Sequence, residues 1–259
     1  MRGTRFGIAV PYPQHPNKHR QRPLFTAAEF HRYEARRTGI PPAKAPRSIV
    51  LWFGRRWKRY LGRRFPGALD PRTRVYRASA SVGVVLVSGP GAPQTAIVME
   101  ELAAIGARRF VLVGLAGSLQ PNLRAGELVL CSRALRDEGT SHHYAKPGAF
   151  ARPSPRLTAR LRGSLEQAGA RFREGPSWTI DAPYRETVAE VRRYRRQRIL
   201  TVEMEASAAF AVANSLGGEA AALFVVSDHL DEGGWEPRFQ DSRVGMRNAL
   251  HLAIAALSA

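Results

Sequence analysis

The chain has 259 residues, of which 44% are hydrophobic and 24% charged, with a single cysteine and a formal net charge of +19. This length suffices for one large domain or two small ones with a sizeable core, and one cysteine excludes a disulfide framework and any cysteine-rich metal site. Because no apolar run approaches the roughly 20 residues of a membrane-spanning helix and the N-terminus lacks the apolar core of a secretory leader, we expect a cytoplasmic protein without a membrane partner.

Most of the positive charge lies in the first third of the chain. Residues 1–80 contain 19 basic and 3 acidic residues, whereas residues 81–259 contain 21 and 18. Charge alone favours a polyanionic partner, but the rest of the chain is nearly neutral and lacks aromatic-rich binding motifs, so we do not expect nucleic-acid binding. We predict a basic, proline-rich N-terminal arm (residues 1–47) followed by one domain (48–259).

Apolar periodicity predicts the secondary structure in chain order. Within the arm it supports one short helix, over residues 26–37. An uncharged, β-branched and aromatic run predicts a strand at 48–53, and an apolar stripe predicts a cationic helix at 55–64. Further strands are predicted at 82–87, 110–113, 128–131 and 221–226, further helices at 94–105, 155–168, 187–195 and 247–257, and a strand running into a helix at 202–216.

Uncharged strands that alternate with helices indicate an α/β fold whose sheet is covered on both faces. In such folds, ligands bind outside the carboxyl ends of the strands. Gly89, Gly114, Glu203 and Asp228 all fall at predicted strand ends. We therefore expect a small-molecule site among them.

Two carboxylates stand close together in Val202-Glu203-Met204-Glu205-Ala206, where a strand meets a helix. A buried carboxylate is costly unless it is paired or hydrogen-bonded, so at least one of them should have a defined partner. The residues alone leave a functional role and a helix-capping or ion-pair role equally open. For Asp228, helix capping is the stronger alternative.

Seven short motifs are far more specific together than any one of them alone. They are Ser88-Gly89-Pro90-Gly91-Ala92-Pro93, Glu100-Glu101-Leu102, Val113-Gly114-Leu115-Ala116-Gly117-Ser118-Leu119-Gln120-Pro121, Gly126-Glu127-Leu128-Val129, Arg136-Asp137-Glu138-Gly139-Thr140-Ser141, Val202-Glu203-Met204-Glu205-Ala206 and Val226-Ser227-Asp228. In their order and spacing, residues 84–230 resemble the nucleoside phosphorylase family, and uridine phosphorylases most closely in the first half.

The resemblance implies a three-layer α/β/α fold with a mixed central sheet, and an enzyme that cleaves the N-glycosidic bond of a nucleoside. Phosphate would be the co-substrate, with no metal or organic cofactor, and the enzyme would form a homo-oligomer. Glu205 would hold the ribose hydroxyls beside Met204, and Asp228 would protonate the leaving base as general acid, which favours a purine. The other residues that it places around the substrate are Glu203, Tyr184, Pro90, Gly114 and Arg136.

The chain departs from the family where phosphate should bind. The family has Arg and Ser or Thr at the positions of Leu112 and Leu115, and neither leucine can bind an oxyanion. From the family's early phosphate loop this chain keeps Arg56, a possible anion contact. The uracil-reading positions hold Thr187 and Ala189, and the base-stacking aromatic position holds Pro183, with Tyr184 beside it and Trp178 upstream.

These departures leave three alternatives open. An arginine from elsewhere could rebuild the anion site, the candidates being Arg56, Arg136 and Arg185. Hydrolytic relatives, the nucleosidases, use water that an acidic residue near the N-terminus activates, and the acids available there are Glu29, Glu34 and Asp70. The third alternative is a protein that binds nucleosides without cleaving them.

Overall fold

The computed structural model describes residues 12–13, 15, 17–41, 44–54, 57–66, 69–70 and 74–259. Across these residues, eleven strands lie in one sheet. They are β1 (Ser48–Phe53), β2 (Leu69–Asp70), β3 (Val75–Arg77), β4 (Val82–Val87), β5 (Arg109–Ser118), β6 (Leu128–Asp137), β7 (Phe150–Ala151), β8 (Phe172–Ile180), β9 (Thr201–Glu203), β10 (Glu219–Asp231) and β11 (Gly234–Pro237).

The sheet is mixed, and half of it closes on itself. Strand β1 pairs in parallel with β4 and β5, whereas β9 pairs antiparallel with β5 and β11 antiparallel with β10. Since β10 pairs with both β5 and β6, the strands β5, β10, β6, β8 and β9 form a closed circuit of hydrogen bonds. The site described below lies at the end of this circuit.

Helices cover both faces, which confirms the predicted three-layer α/β/α architecture. One face carries α3 (Ala92–Ala104) and α7 (Ala206–Ser215), with α1 (Ala27–Thr38) packed outside α3. The other carries α2 (Lys58–Arg64), α5 (Pro155–Gln167) and α8 (Ser242–Ser258). The short α4 (Ser141–Tyr144) and α6 (Val188–Arg196) flank the ends of β6 and β8. In the described part of the chain, no helix is both long and apolar enough to cross a membrane.

Three strands are longer than the apolar pattern predicts, and one of them is β10, which spans 13 residues where 221–226 was predicted. Strands β5 and β6 each have ten residues and continue well beyond residues 113 and 131, where the apolar runs end. Gly114 therefore lies within β5, not at its end. The space where its Cβ would stand is packed by the rings of Phe53 and Phe224, each within 4 Å, so the close approach to a ligand expected at Gly114 is wrong on this side.

Candidate active site

The carboxyl group of Glu205 is held between β9 and α7 by two backbone donors. Gly91 N–H donates a 2.6 Å hydrogen bond to Oε1, and Met204 N–H donates a 3.2 Å bond to Oε2. Gly91 has φ +105°, which only glycine adopts without strain, so the loop from Ser88 to Gly91 can aim this N–H at the carboxylate. The side chain of Glu205 is 6% exposed, and burial together with the neighbouring Glu203 raises its pKa to about 8.

Glu203 stands behind Glu205 and is fully engaged by the protein. Its Oε2 accepts 2.7 Å bonds from the N–H groups of Glu205 and Ala206, the first turn of α7. Its Oε1 accepts from the hydroxyls of Thr179 (2.6 Å) and Ser177 (3.2 Å). The substrate contact expected of Glu203 is therefore not formed: this carboxylate caps a helix and fixes the backbone of Glu205, and burial raises its pKa.

Asp228 lies on β10 at a bulge, and hydrogen-bond donors engage both of its oxygens. Ser227 Oγ donates a 2.5 Å bond to Oδ1, and the indole Nε1 of Trp235 donates a 2.8 Å bond to Oδ2. Trp235 is carried by β11, where it pairs with Leu230. Sequence reasoning missed this residue, although the two-residue turn Glu232-Gly233 ahead of it is a hairpin signal that could have placed it opposite β10.

Gly117 of β5 lies between the strand that leads into Glu205 and the strand that carries Asp228. It pairs with Val202 of β9 on one side and with Asp228 of β10 on the other. The backbones of Val202 and Asp228 are therefore two strand spacings, about 10 Å, apart. A Cβ at Gly117 would stand 2.3 Å from Leu230 Cδ1 and 3.0 Å from Asp228 Oδ2, so the absence of a side chain here leaves room for the acid.

Glu186, a carboxylate near Asp228, was not predicted from the sequence as a site residue. Glu186 follows the single turn at Pro183–Arg185, and its side chain is half-buried. Burial, the charge of Asp228 and that of Glu190 raise the pKa of Glu186 to about 7. Glu186 is thus close enough to Asp228 for the two charges to repel each other, a relationship that only the folded chain reveals.

Comparison with known proteins identifies the family of this chain. A model of the Phosphorylase superfamily matches residues 69–258. The chain belongs to the phosphorylase superfamily. The predicted family and enzyme class, a pentosyltransferase or N-glycosidase, are thereby confirmed.

The proteins to which this chain is similar include phosphorylases of different nucleosides and a nucleosidase. A guanosine phosphorylase of Halorubrum lacusprofundi is 29% identical over 66% of this chain and 74% of its own length. A uridine phosphorylase of Thermococcus kodakarensis is 33% identical over 55% of this chain, which spans only 56% of that relative. The solved AMP nucleosidase from Bacteroides thetaiotaomicron superposes with a TM-score of 0.73 at 20% identity, covering 90% of this chain and 97% of that one, and so shares the fold.

The positions where superfamily members hold phosphate are apolar in this protein. Leu112 is completely buried in the core beneath α3 and α7, and Leu115 packs half-buried on the opposite face. The one family-like cation of the early phosphate loop, Arg56, lies outside the described residues. Neither of these two positions of β5 therefore supplies a group that can bind phosphate.

Arg136 makes its hydrogen bonds to the 141–148 segment and none to Glu205 or Asp228. Its Nε donates a 2.8 Å bond to Ser141 Oγ, and its Nη1 donates to the carbonyl oxygens of Lys146 and Gly148. The guanidinium thereby holds the 141–148 segment and lines a separate cavity. These bonds engage Nε and Nη1, and the substrate contact of Arg136 stays a prediction.

The aromatic residues expected around the base take other places. Tyr184 is completely exposed, so it does not form the predicted pocket wall within this chain. Trp178 is completely buried, packs on Tyr194 and donates a 2.9 Å bond to Asp137 Oδ2, and is therefore part of the core. Pro90 and Met204 do adjoin Glu205, since a Cβ at Gly91 would stand 3.9 Å from Met204 Cε. Among the described residues, no three His, Cys, Asp or Glu side chains are grouped to hold a metal ion.

Proposed function

We propose that this protein cleaves the N-glycosidic bond of a purine nucleoside and transfers the ribosyl group to phosphate. The placement of β9, which leads into Glu205, and of Asp228 on either side of Gly117 is the observation that carries the proposal. With about 10 Å between the two flanking strands, a nucleoside can lie with its ribose at Glu205 and its base at Asp228.

At the ribose end, Glu205 acts as the sugar-binding group. The N–H groups of Gly91 and Met204 fix its carboxyl group, and the carboxyl oxygens keep further lone pairs for two neighbouring ribose hydroxyls. In the ionised form, which its raised pKa makes dominant above about pH 8, its negative charge also stabilises the positive charge that develops on the ribosyl group as the bond breaks. Met204 packs against the sugar, and Glu203 supports the arrangement from behind.

At the base end, Asp228 acts as general acid. For this role Asp228 must take up a proton when the nucleoside binds. The C–N bond then breaks with its electron pair on the base nitrogen, this proton passes from Asp228 to the base, and a phosphate oxygen bonds to the anomeric carbon. Glu186 beside Asp228 favours a purine, since the two carbonyl oxygens of uracil would face two carboxylates.

The nucleophile separates this proposal from its main alternative, hydrolysis. Leu112 and Leu115 remove the family's phosphate contacts, which favours water. However, two acids near the N-terminus are engaged elsewhere: Glu29 caps α1, and Glu34 forms an ion pair within the same helix. The side chain of Asp70 lies outside the described residues. Phosphate remains the proposed nucleophile because the named relatives in sequence are phosphorylases.

Base release from a panel of purine and pyrimidine nucleosides, followed by chromatography with and without phosphate, tests the proposal. Release of purine that requires phosphate is expected. Release without phosphate would make the protein a hydrolase, and nucleoside binding without any release would make it a binding protein. Asp228→Asn and Glu205→Gln should each lower kcat/KM by about 10²-fold or more, whereas the exposed Asp241→Asn and Glu166→Gln should leave it unchanged.

The remaining features are proposed from the family resemblance. They are phosphate as co-substrate, the lack of a metal or organic cofactor, homo-oligomeric assembly and a cytoplasmic location. The separation of an N-terminal arm (1–47) from the domain (48–259) is likewise a proposal. Sedimentation and metal analysis of the purified protein test the assembly and the cofactor statements.

A further inference from the structure

A cavity of about 880 Å³ lies apart from Glu205 and Asp228, on the α7 face of the sheet. It is bounded by the later part of α7, by β7, by the start of α5 and by the 144–148 segment. Its lining residues on α7, Phe210 to Asn214, lie about 8 to 14 Å beyond Glu205 along the helix axis. It is therefore a different site from the proposed nucleoside pocket.

The walls of this cavity carry positive charge only. Its lining includes His19, Arg20, Arg136, Lys146 and Arg152, and among its described lining residues there is no Asp or Glu. The nearest carboxylates have other partners. Glu219 accepts a bond from Ser154 Oγ, and Glu138 accepts from Ser141 N–H and Ser207 Oγ.

Arg136 is the unusual member of this group, because it is a buried cation. It is 8% exposed, and burial lowers its pKa. Its Nη2 is buried and makes no hydrogen bond to any described residue, and no described carboxylate lies within ion-pair distance of the guanidinium. A buried cation without a carboxylate in direct contact is destabilising, and the charge of Glu138 offsets only part of the effect of burial on the pKa of Arg136, so a counter-ion at this position would be stabilising.

We propose that this cavity binds a small molecule through its phosphate group. Arginine binds phosphate through charge-assisted hydrogen bonds, and Nη2 is the nitrogen of the Arg136 guanidinium that makes no such bond to a described residue. Lys146 and Arg152 are exposed at the rim and can neutralise the remaining charge. The rings of Tyr144 and Phe150 supply an apolar surface for the rest of the molecule, and the volume is within the usual range for ligand pockets.

Isothermal titration calorimetry with inorganic phosphate, AMP and ATP at low salt tests the proposal, using the wild-type protein and Glu205→Gln. The Glu205→Gln variant removes the ribose contact at the proposed active site, and phosphate bound there as co-substrate is recognised because it does not depend on Lys146 and Arg152. One equivalent of a phosphate compound that does depend on them should bind both proteins, whether or not the proposed function holds. The three compounds distinguish free phosphate from an organic phosphate as the preferred source.

The double variant Lys146→Ala/Arg152→Ala should raise the Kd at least about tenfold, as expected from losing hydrogen bonds to a charged group. Arg193→Ala/Arg196→Ala, on the exposed face of α6, removes the same charge elsewhere and should leave the Kd unchanged. Arg136→Met should abolish binding, with circular dichroism verifying that it folds. An equal effect of both double variants, an unchanged Kd in the first, or no binding of any of the three compounds to Glu205→Gln would overturn the proposal.

Discussion

The indole Nε1 of Trp235 donates a 2.8 Å hydrogen bond to Oδ2 of Asp228, across the turn that joins β10 to β11. Trp235 is 59% exposed, so a residue on a short surface hairpin holds the proposed general acid. Ser227 engages the other oxygen. The carboxyl group is thus oriented from both sides, and its direction depends on an exposed residue.

Replacing Trp235 by Phe keeps an aromatic ring but removes the donor. We expect kcat to fall about tenfold because Asp228 loses a hydrogen bond that orients it, with little change in KM because the ribose contacts are untouched. Trp235→Ala should give nearly the same kcat if the N–H is what matters. Steady-state kinetics on all three proteins check this, and full activity in Trp235→Phe would contradict it.

Gly117→Ala tests whether Asp228 needs the space that the absence of a side chain at Gly117 leaves. The added methyl would stand 2.3 Å from Leu230 Cδ1 and 3.0 Å from Asp228 Oδ2. Leu230 can rotate away, so the protein should fold, but the displaced acid should lower kcat by roughly tenfold or more. Gly163→Ala on α5 meets nothing within 4 Å and is the matched control, with unchanged kcat. Equal kcat in the two variants would show that Asp228 has room to adjust.

Glu203 and Glu205 should respond differently to substitution, although they are two residues apart. Glu203→Ala leaves the N–H groups of Glu205 and Ala206 without their acceptor, which should lower the free energy of unfolding by about 2 to 5 kcal/mol. Glu205→Gln should fold and lose activity. Urea denaturation and kinetics on both variants separate the roles. A stable but inactive Glu203→Ala would instead place Glu203 in contact with substrate.

The strands that could be predicted accurately from the sequence are those that are buried along nearly their whole length. The runs at 48–53 and 82–87 match β1 and β4 residue for residue because both faces of these strands are buried. Strand β8 could not be predicted in this way, since Arg173, Glu174, Gly175 and Pro176 interrupt its pattern. Pairing with β6 on one side and β9 on the other makes it a strand.

In the candidate site, too, some features could be predicted from the sequence and others could not. The motif around Glu205 is contiguous in sequence, so its position before α7 was predictable. Contacts between distant segments were not, and two of them define the site: Gly91 with Glu205, and Gly117 with both flanking strands. The hydrogen bonds of Arg136 to the 141–148 segment were equally unpredictable, since a motif match says nothing about which way a side chain on β6 points.

The raised pKa of Glu205 should make stability depend on pH in a defined direction. An unfolded chain releases this proton near pH 4.5 and the folded chain near pH 8, so between these values the folded state binds the extra proton. Unfolding free energy should therefore decrease as pH rises, by up to about 1.4 kcal/mol per pH unit from this group. Glu205→Gln cannot titrate at this position. Its free energy of unfolding, measured by urea denaturation, should therefore increase relative to that of the wild type between about pH 5 and pH 8. The exposed Glu166→Gln should differ from the wild type equally at both pH values, and parallel curves for Glu205→Gln would mean that Glu205 is ionised in the folded protein throughout.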